Sequence, residues 1–281
     1  MKAEEIYFNY GKKEVLKGTS FSLQKGEIVG IAGPNGSGKT TLIKILAGLC
    51  FPKKGRVSDL EGGIYALVEN PTFYSELSGR ENLEYFSNTV TKPGKTEEET
   101  DLFSCEEFLD MPVRKYSLGM KQRLALALVF AFDADYLLLD EPTNALDIDS
   151  IAAFNRRVTE LKKEKGILIA SHDFHELRQV CDRVLVLKDG RVAGETGCGS
   201  RKEQIYEIRV KAGVKKEHLT GLDKWNPRLL DTSIEIACGE QELPEAIRIL
   251  AADGIDIYGV QEKYTDLEQQ YHEILEEDGN A

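Results

Sequence analysis

Short apolar segments that end in polar residues recur through the first 195 residues and alternate with amphipathic stretches. Three of them, residues 27–32, 136–139 and 166–170, lead directly into Gly33, Asp140 and Ser171. Continuous apolar runs of this length are typical of buried parallel strands, which present polar groups at their carboxyl ends. We therefore predict an α/β core in which these three polar sites converge on one edge of a sheet.

The sequence between about residues 80 and 132 does not fit this strand pattern. A polar loop is predicted at residues 91–95, and the acidic run at residues 96–101 predicts the start of a helix. We interpret the acidic run as a solvated helix face rather than a binding site. The segment as a whole is predicted to be an inserted helical subdomain.

The character of the chain changes again beyond Gly199, and residues 200–281 are predicted to form a small α/β appendage to a core domain of residues 1–199. Strands are predicted at residues 205–210, 233–237 and 255–260. One helix face is marked by Leu243, Ala246, Ile247 and Leu250, and a second by Leu267, Tyr271, Ile274 and Leu275 behind a Thr265 to Glu268 capping box. The appendage contains no catalytic constellation, so we assign it to packing or regulation.

Composition narrows the class of protein. The net charge of −12 argues against non-specific nucleic-acid binding, which needs a basic surface. Apolar runs never reach 18 residues, and the first residues are acidic where a secretory signal is basic, so we expect a cytoplasmic location. The five cysteines form no Cys-x-x-Cys pair and are expected to be reduced thiols.

A glycine-rich turn follows the first of the three strands and precedes a helical stretch. In such a turn, successive backbone N–H groups wrap phosphate oxygens, and the following helix adds the positive end of its dipole. Lys39 is expected to neutralise the β and γ phosphates, and the Thr40 hydroxyl to bind Mg²⁺. The predicted phosphate-binding residues are Gly33, Pro34, Asn35, Gly36, Ser37, Gly38, Lys39, Thr40 and Thr41.

Two adjacent carboxylates end the second strand. Asp140 is in the position of an acid that reaches Mg²⁺, through a water molecule. Glu141 comes next and is expected to polarise the attacking water as a general base, with the following Pro142-Thr143 turn fixing its direction.

Four motifs, taken together in their order along the chain, resemble those of the ATP-binding subunit of an ABC transporter. They are the phosphate loop, the run from Tyr116 to Arg123, the run from Asp140 to Asp147, and His172. The resemblance covers residues 1 to about 195. It implies a P-loop NTPase core of the ABC ATPase type, with ATP and Mg²⁺ as its ligands.

The resemblance also implies roles for individual residues. Ser117 and Gly119 match the signature motif, which is presented to the γ-phosphate held by the opposite subunit, although Tyr116, Leu118 and Met120 depart from the usual Leu-Ser-Gly-Gly-Gln form. His172 resembles the switch histidine, Asp147 the acid at the dimer interface, and Tyr10 the aromatic that stacks on adenine. Phe8 is the alternative to Tyr10, and His175 is interpreted as a helix-surface histidine.

Glu69 is the largest departure, because most of the family has a glutamine that contacts Mg²⁺ and senses the membrane partner. A carboxylate there is expected either to bind Mg²⁺ more tightly or to repel the γ-phosphate when metal is absent. Together with the run from Ser78 to Leu83, this glutamate resembles the bacitracin and lantibiotic branch of peptide exporters.

The resemblance thus implies an ATPase that pairs with a second ABC ATPase subunit, as a homodimer or heterodimer. Separate transmembrane permease subunits would hold the pair at the inner face of the membrane through a surface near residues 70–74. Two alternative functions are a soluble ATPase that acts mechanically on ribosomes or DNA, and a regulatory module without ATP turnover. The chain lacks the repeated motif set that is usual in such mechanical ATPases. The regulatory module is disfavoured because the residues for hydrolysis are all present, namely Lys39, Asp140, Glu141 and His172.

Overall fold

The computed structural model of the chain describes residues 1–59, 62–69, 71–88, 96–197, 204–211, 213–239 and 241–263. Residues 1–197 belong to one compact unit and residues 204–263 to another. The predicted boundary at Gly199, the predicted loop at 91–95 and the predicted helix at 267–275 lie outside the described residues, as does the side chain of His175.

Thirteen strands lie in the described part of the chain. They are β1 (Lys2–Tyr10), β2 (Lys13–Ser22), β3 (Ile28–Ala32), β4 (Lys54–Ser58), β5 (Ile64–Leu67), β6 (Tyr136–Asp140), β7 (Gly166–Ser171), β8 (Arg183–Lys188), β9 (Arg191–Gly197), β10 (Gln204–Val210), β11 (Arg228–Leu229), β12 (Ser233–Cys238) and β13 (Ile257–Lys263).

Seven α-helices accompany these strands, together with 3₁₀ helices at Val113–Lys115 and Lys216–Trp225. They are α1 (Lys39–Leu46), α2 (Gly79–Asn88), α3 (Thr96–Leu102), α4 (Leu118–Ala131), α5 (Ile148–Leu161), α6 (Phe174–Val180) and α7 (Leu243–Ala252).

A six-stranded sheet in the order β5-β6-β7-β3-β8-β9 forms the centre of the first unit. Its first five strands are parallel, and β9 is antiparallel to β8. Every residue of β3, β6 and β7 is buried, which explains their continuous apolar sequence. The predicted α/β core is confirmed, and β3, β6 and β7 are adjacent, so their carboxyl ends share one edge.

A separate three-stranded antiparallel sheet, in the order β2-β1-β4, was not predicted. Leu16 of β2 and Ile6 of β1 are buried with Leu42 and Ile43 of α1 in one hydrophobic cluster. This sheet therefore covers the helix that follows the phosphate loop.

Helices α2, α3 and α4 lie in the predicted helical segment. The prediction that the acidic run is a solvated helix face is wrong for Glu99 of α3, which is only 1% exposed. Its carboxylate pairs with the guanidinium of Arg157 on α5, with Nε 2.9 Å from Oε1. A buried carboxylate requires such a partner, and the partner is 58 residues away in the sequence.

The second unit is a four-stranded antiparallel sheet in the order β11-β12-β10-β13. The chain runs strand, helix, two strands, helix, strand, which with this order is the split βαβ arrangement of ferredoxin-like domains. Leu222 and Trp225 of the 3₁₀ helix and Leu250 of α7 are buried in its core. The strand predicted at 255–260 begins later, at Ile257, because Ile255 instead bonds its N–H to the carbonyl of Leu250.

No helix among the described residues is long and apolar enough to cross a membrane. Cys50, Cys105, Cys181 and Cys238 are free thiols, and Cys198 lies outside the described residues.

Candidate functional site

The phosphate loop joins β3 to α1 at the edge where the parallel strands end. Gly38 caps α1 with a φ of 111°, a left-handed conformation that favours glycine. Residues 34–36 are exposed, whereas Ser37 and Lys39 are buried. The loop thus offers its backbone to solvent directly in front of a helix N-terminus, which is a favourable arrangement for an anion.

Lys39 is buried beneath this loop, and its Nζ donates hydrogen bonds to the carbonyls of Gly33, at 2.7 Å, and Pro34, at 3.4 Å. Burial lowers the pKa of Lys39, while the nearby carboxylates of Glu141 and Asp140 act to raise it. A cation in this position has a strong need for anionic partners.

Asp140 ends β6 and is 4% exposed. Burial raises its pKa, and hydrogen bonds from Thr40 and from the backbone of Glu69 act in the opposite direction. Its Oδ1 atom has no hydrogen-bond partner among the described residues. An unpaired buried carboxylate oxygen beside a hydroxyl fits a hard cation.

The described residues contain no group of three or more His, Cys, Asp and Glu side chains that could hold a metal. Mg²⁺ usually binds through one or two carboxylates together with substrate phosphates rather than through a full protein cage. Thr40 and Asp140 therefore fit a Mg²⁺ ion that is shared with a phosphate ligand.

Glu141 has a φ of 48°, which is rarely adopted by a non-glycine residue. Its Oε1 accepts a hydrogen bond from the backbone N–H of His172 at 2.9 Å, and its Oε2 lies 2.8 Å from Nδ1 of the same residue. The Ser171 hydroxyl is 3.4 Å from Oε2. The end of β7 therefore fixes the direction of this carboxylate, in addition to the turn that follows it.

Glu69 follows β5 and has a φ of 58°. Its Oε1 accepts a hydrogen bond from Nζ of Lys44 at 2.6 Å, so the carboxylate is already in an ion pair. Glu69 nevertheless lines a cleft of about 270 Å³, which we call the phosphate-loop cleft; its lining residues are Thr40, Glu69, Gln122, Asp140, Glu141 and Asn144.

The predicted signature residues lie in a second cleft, of about 550 Å³, which we call the signature cleft. The Ser117 hydroxyl caps α4 by accepting the N–H of Met120 at 3.2 Å. Asp147 caps α5 by accepting the N–H of Ser150 at 2.8 Å. A Cβ on Gly119 would lie 2.5 Å from the carbonyl oxygen of Ala145, so glycine permits this close approach. The lining residues are Ser117, Leu118, Gly119, Met120, Arg123, Ala145, Leu146 and Asp147.

Known proteins similar to this chain indicate its family. A model of the protein family described as "ABC transporter" matches residues 16–144. The uncharacterised ABC transporter ATP-binding protein YdbJ of Bacillus subtilis is 31% identical over 278 residues, covering 93% of this chain and 90% of the relative. The chain belongs to the family of ABC transporter ATP-binding proteins.

Two further relatives add detail. The bacitracin transport ATP-binding protein BcrA of Enterococcus faecalis is 28% identical over 301 residues, covering 98% of this ABC protein and 96% of BcrA. The dimeric structure of MJ0796, a bacterial ABC transporter cassette, has a TM-score of 0.62 and 25% identity, covering 71% of this chain and 99% of the cassette.

The two clefts of this ABC protein share no lining residue among those described. Lys39, Thr40, Glu69, Asp140 and Glu141 lie together around the first, with His172 bonded to Glu141. Ser117, Gly119 and Asp147 lie together around the second. The structure therefore divides the predicted site residues into two groups.

Tyr10 belongs to neither lining set; it ends β1, is 51% exposed and packs edge to face on Phe8 at 4.9 Å. It lies near Lys44, whose pKa is raised mainly by the hydrogen bond to Glu69 and to a smaller extent by Tyr10. A stacking role for Tyr10 in this ABC protein stays a prediction.

Sequence reasoning assigned no individual role to three residues that line the phosphate-loop cleft or bond to its lining residues. Lys44 holds Glu69, Ser171 approaches Glu141, and Gln122 donates from Nε2 to the carbonyl of Pro142 at 2.7 Å. A usable signal existed for Lys44, because it is four residues after Thr40 and thus on the same face of α1.

Proposed function

We propose that this protein is an ATP-hydrolysing subunit that couples Mg²⁺-dependent ATP hydrolysis to transport by separate membrane subunits. The observation that carries the proposal is the cluster at the strand ends, in which Glu141 is bonded to His172 beside Lys39 and Asp140. Membership of the family supports nucleotide binding by the same chain.

The cluster supplies each group that phosphoryl transfer to water requires. Lys39 and the backbone of residues 33–38 would bind the phosphates. Thr40 and Asp140 would hold Mg²⁺, which would neutralise charge on the phosphate oxygens. Glu141 accepts a proton from the water that attacks the γ-phosphorus, and ADP leaves with the electron pair of the broken bond. The 2.8 Å contact between Nδ1 of His172 and Glu141 supports a role for His172 at the same phosphate.

We propose further that the active unit is a head-to-tail dimer. The signature cleft contains Ser117 and Asp147 but no residue of the phosphate-loop cleft in the described parts of the chain. Leu118, which lines this cleft, and Ile148, which follows Asp147 in the chain, are 52% and 85% exposed. A second subunit that placed its Ser117 over the phosphate loop would cover these apolar side chains, and MJ0796, which shares the fold, forms a dimer.

The transported substance is proposed to be a peptide or drug-like molecule that is exported. The support is the similarity to BcrA, whose name assigns it to bacitracin transport, together with the Glu69 variant. Permease subunits would attach the ATPase pair to the inner face of the membrane, near Phe73 and Tyr74; Asn70 of the predicted docking surface lies outside the described residues.

The test is Glu141→Gln, with Glu97→Gln on the exposed part of α3 as a matched control. We expect Glu141→Gln to reduce Mg²⁺-dependent phosphate release by at least about 10²-fold and to form a dimer in ATP and Mg²⁺ by size-exclusion chromatography. The control should hydrolyse ATP normally. A Glu141→Gln protein that stays monomeric at saturating ATP and Mg²⁺ would contradict the dimer mechanism.

The membrane partner needs a separate test. The subunit should co-purify with a polytopic membrane protein from cells of its source, and Phe73→Ser with Tyr74→Ser should weaken this association without changing ATP binding. If the altered protein is recovered with membranes as fully as the wild type, docking through this surface is wrong.

A further inference from the structure

Lys44 and Glu69 form an ion pair beside the phosphate-loop cleft. The two residues lie 25 positions apart in the sequence, and the Nζ to Oε1 distance is 2.6 Å. Lys44 is one helical turn beyond Thr40 on α1, so one helix face presents the Thr40 hydroxyl to Asp140 and the Lys44 ammonium group to Glu69.

The backbone of Glu69 is fixed at the same place. Its N–H hydrogen-bonds to Asp140, and its φ of 58° is strained for a residue with a side chain. The backbone of Glu69 is therefore held at the cleft by contacts that do not involve its ion pair.

Three carboxylates line this cleft, from Glu69, Asp140 and Glu141. A nucleotide triphosphate adds further negative charge, and like charges a few ångströms apart repel strongly where solvent is partly excluded. Asp140 is hydrogen-bonded to Thr40 and Glu141 to His172. Among the described residues, the only cation bonded to Glu69 is Lys44.

We propose that Lys44 is a positioning residue that neutralises Glu69 and holds its carboxylate at the rim of the cleft. The pair Lys44 and Glu69 then carries no net charge, as a neutral side chain at position 69 would. This inference rests on the proposed function, because it concerns the binding of ATP to the same site. Of the two effects expected of Glu69, the proposal concerns repulsion of the γ-phosphate. The carboxylate alone would repel the triphosphate, and Lys44 suppresses this repulsion by neutralising its charge.

The pair is suited to such a role rather than to holding the fold together. Glu69 is 60% and Lys44 25% exposed, and exposed pairs of this kind contribute little to stability. Loss of Lys44 should therefore affect nucleotide binding without unfolding the protein.

The experiment is a double-mutant cycle with the full chain: wild type, Lys44→Met, Glu69→Gln and the double variant. Binding of a fluorescent ATP analogue is measured in EDTA and again with Mg²⁺. In EDTA, Lys44→Met should raise the dissociation constant on the order of five-fold, because an unpaired carboxylate then faces the phosphates. In the Glu69→Gln background the same change should alter it less than about two-fold.

Two conditions sharpen the result. Mg²⁺ should reduce the effect of Lys44→Met, because the metal neutralises part of the triphosphate charge, and raising the salt concentration should reduce it as well.

Lys163→Met is the matched control, because it changes the net charge equally on an exposed turn after α5 and should leave ATP binding unchanged. Lys44→Arg should retain most of the affinity, and thermal unfolding confirms that each variant is folded.

An equal effect of Lys44→Met in both backgrounds would show that Lys44 contacts the nucleotide or packs against its site directly, and would overturn the proposal. Wild-type affinity in Lys44→Met would overturn it too. A wild-type protein that does not bind ATP at all would instead refute the proposed function, so the two failures are distinguishable.

Discussion

The phosphate-loop cleft and the signature cleft use their polar side chains in different ways. In the first, the functional groups bind one another across the sheet edge, as Lys39 does with Gly33 and Glu141 with His172. In the second, Ser117 and Asp147 cap the helices to which they belong, and the apolar side chains of Leu118 and Ile148 lie exposed beside them.

This difference fits the roles proposed for the two clefts, a ligand site and a subunit interface. Buried charges held by neighbouring strands are arranged before a small charged ligand arrives, so binding needs little reorganisation. Exposed apolar side chains that are grouped beside a cleft fit a surface that another protein covers. Substitutions should therefore act on nucleotide binding in the first cleft and on subunit association in the second.

The largest effect is expected from Arg157→Met, which leaves the carboxylate of Glu99 buried without a partner. The free energy of unfolding should fall by about 3–5 kcal/mol, measured by urea denaturation. Because this pair joins α3 of the helical segment to α5, ATP-dependent dimerisation of a Glu141→Gln background should also weaken.

Two controls test that explanation. Glu99→Leu together with Arg157→Met removes both charges and should recover most of the loss. Arg114→Met breaks the exposed pair with Glu76 and should cost less than about 1 kcal/mol. Equal losses from the exposed and buried pairs would contradict the importance of burial.

A smaller effect is expected from Gly119→Ala, because the added Cβ would lie 2.5 Å from the carbonyl oxygen of Ala145. Forcing the two segments apart should cost roughly 1–3 kcal/mol and weaken dimerisation while ATP binding by the monomer stays unchanged. Gly63→Ala is the matched control, since its Cβ would meet its nearest neighbour at 3.8 Å. A loss of nucleotide affinity in Gly119→Ala would mean that the two clefts are not independent.

Ser117→Ala removes the N-cap of α4 and should lower the free energy of unfolding by about 1 kcal/mol. Ser117→Thr should restore most of this loss, because the hydroxyl can still accept the Met120 N–H. If the proposed contact with ATP is correct, Ser117→Ala should lower dimer stability by more than Ser117→Thr does, and by more than its own loss of folding stability accounts for. Equal dimer stability in the two variants would limit Ser117 to its capping role.

The smallest effect on stability is expected from Asp140→Asn, although it should abolish the Mg²⁺ dependence of nucleotide binding. Burial raises the pKa of Asp140 in the folded state, so its ionised form at neutral pH is held at a cost that asparagine avoids. At a pH between the unfolded-state and folded-state pKa values, the folded protein binds more protons at Asp140 than the unfolded chain does. The free energy of unfolding of the wild type therefore rises as the pH falls through this range.

Urea denaturation in metal-free buffer checks this prediction. Asp140→Asn should be at least as stable as the wild type at pH 7.5, and any advantage should shrink as the pH is lowered toward the folded-state pKa of Asp140. A variant that is much less stable at pH 7.5 would show that the carboxylate is needed for folding rather than for the ligand.

The sequence by itself determined the parallel core and the chemistry at its edge. The apolar runs before Gly33, Asp140 and Ser171 are long enough and continuous enough to be buried strands, and parallel strands bring their carboxyl ends to one edge whatever their order. The N-cap at Ser117 was also readable, because a hydroxyl before an apolar helix is a local signal.

Only the tertiary structure decided which distant partners meet. Glu99 reads as one acid in a solvated run, and its burial depends on Arg157 from another helix. The ion pair of Glu69 with Lys44 and the bond between Glu141 and His172 likewise join separate elements. The spacing of apolar residues predicts which face of a helix or strand is buried. The partner of a charged side chain depends on how separate elements pack together, so it cannot be predicted from the neighbouring sequence.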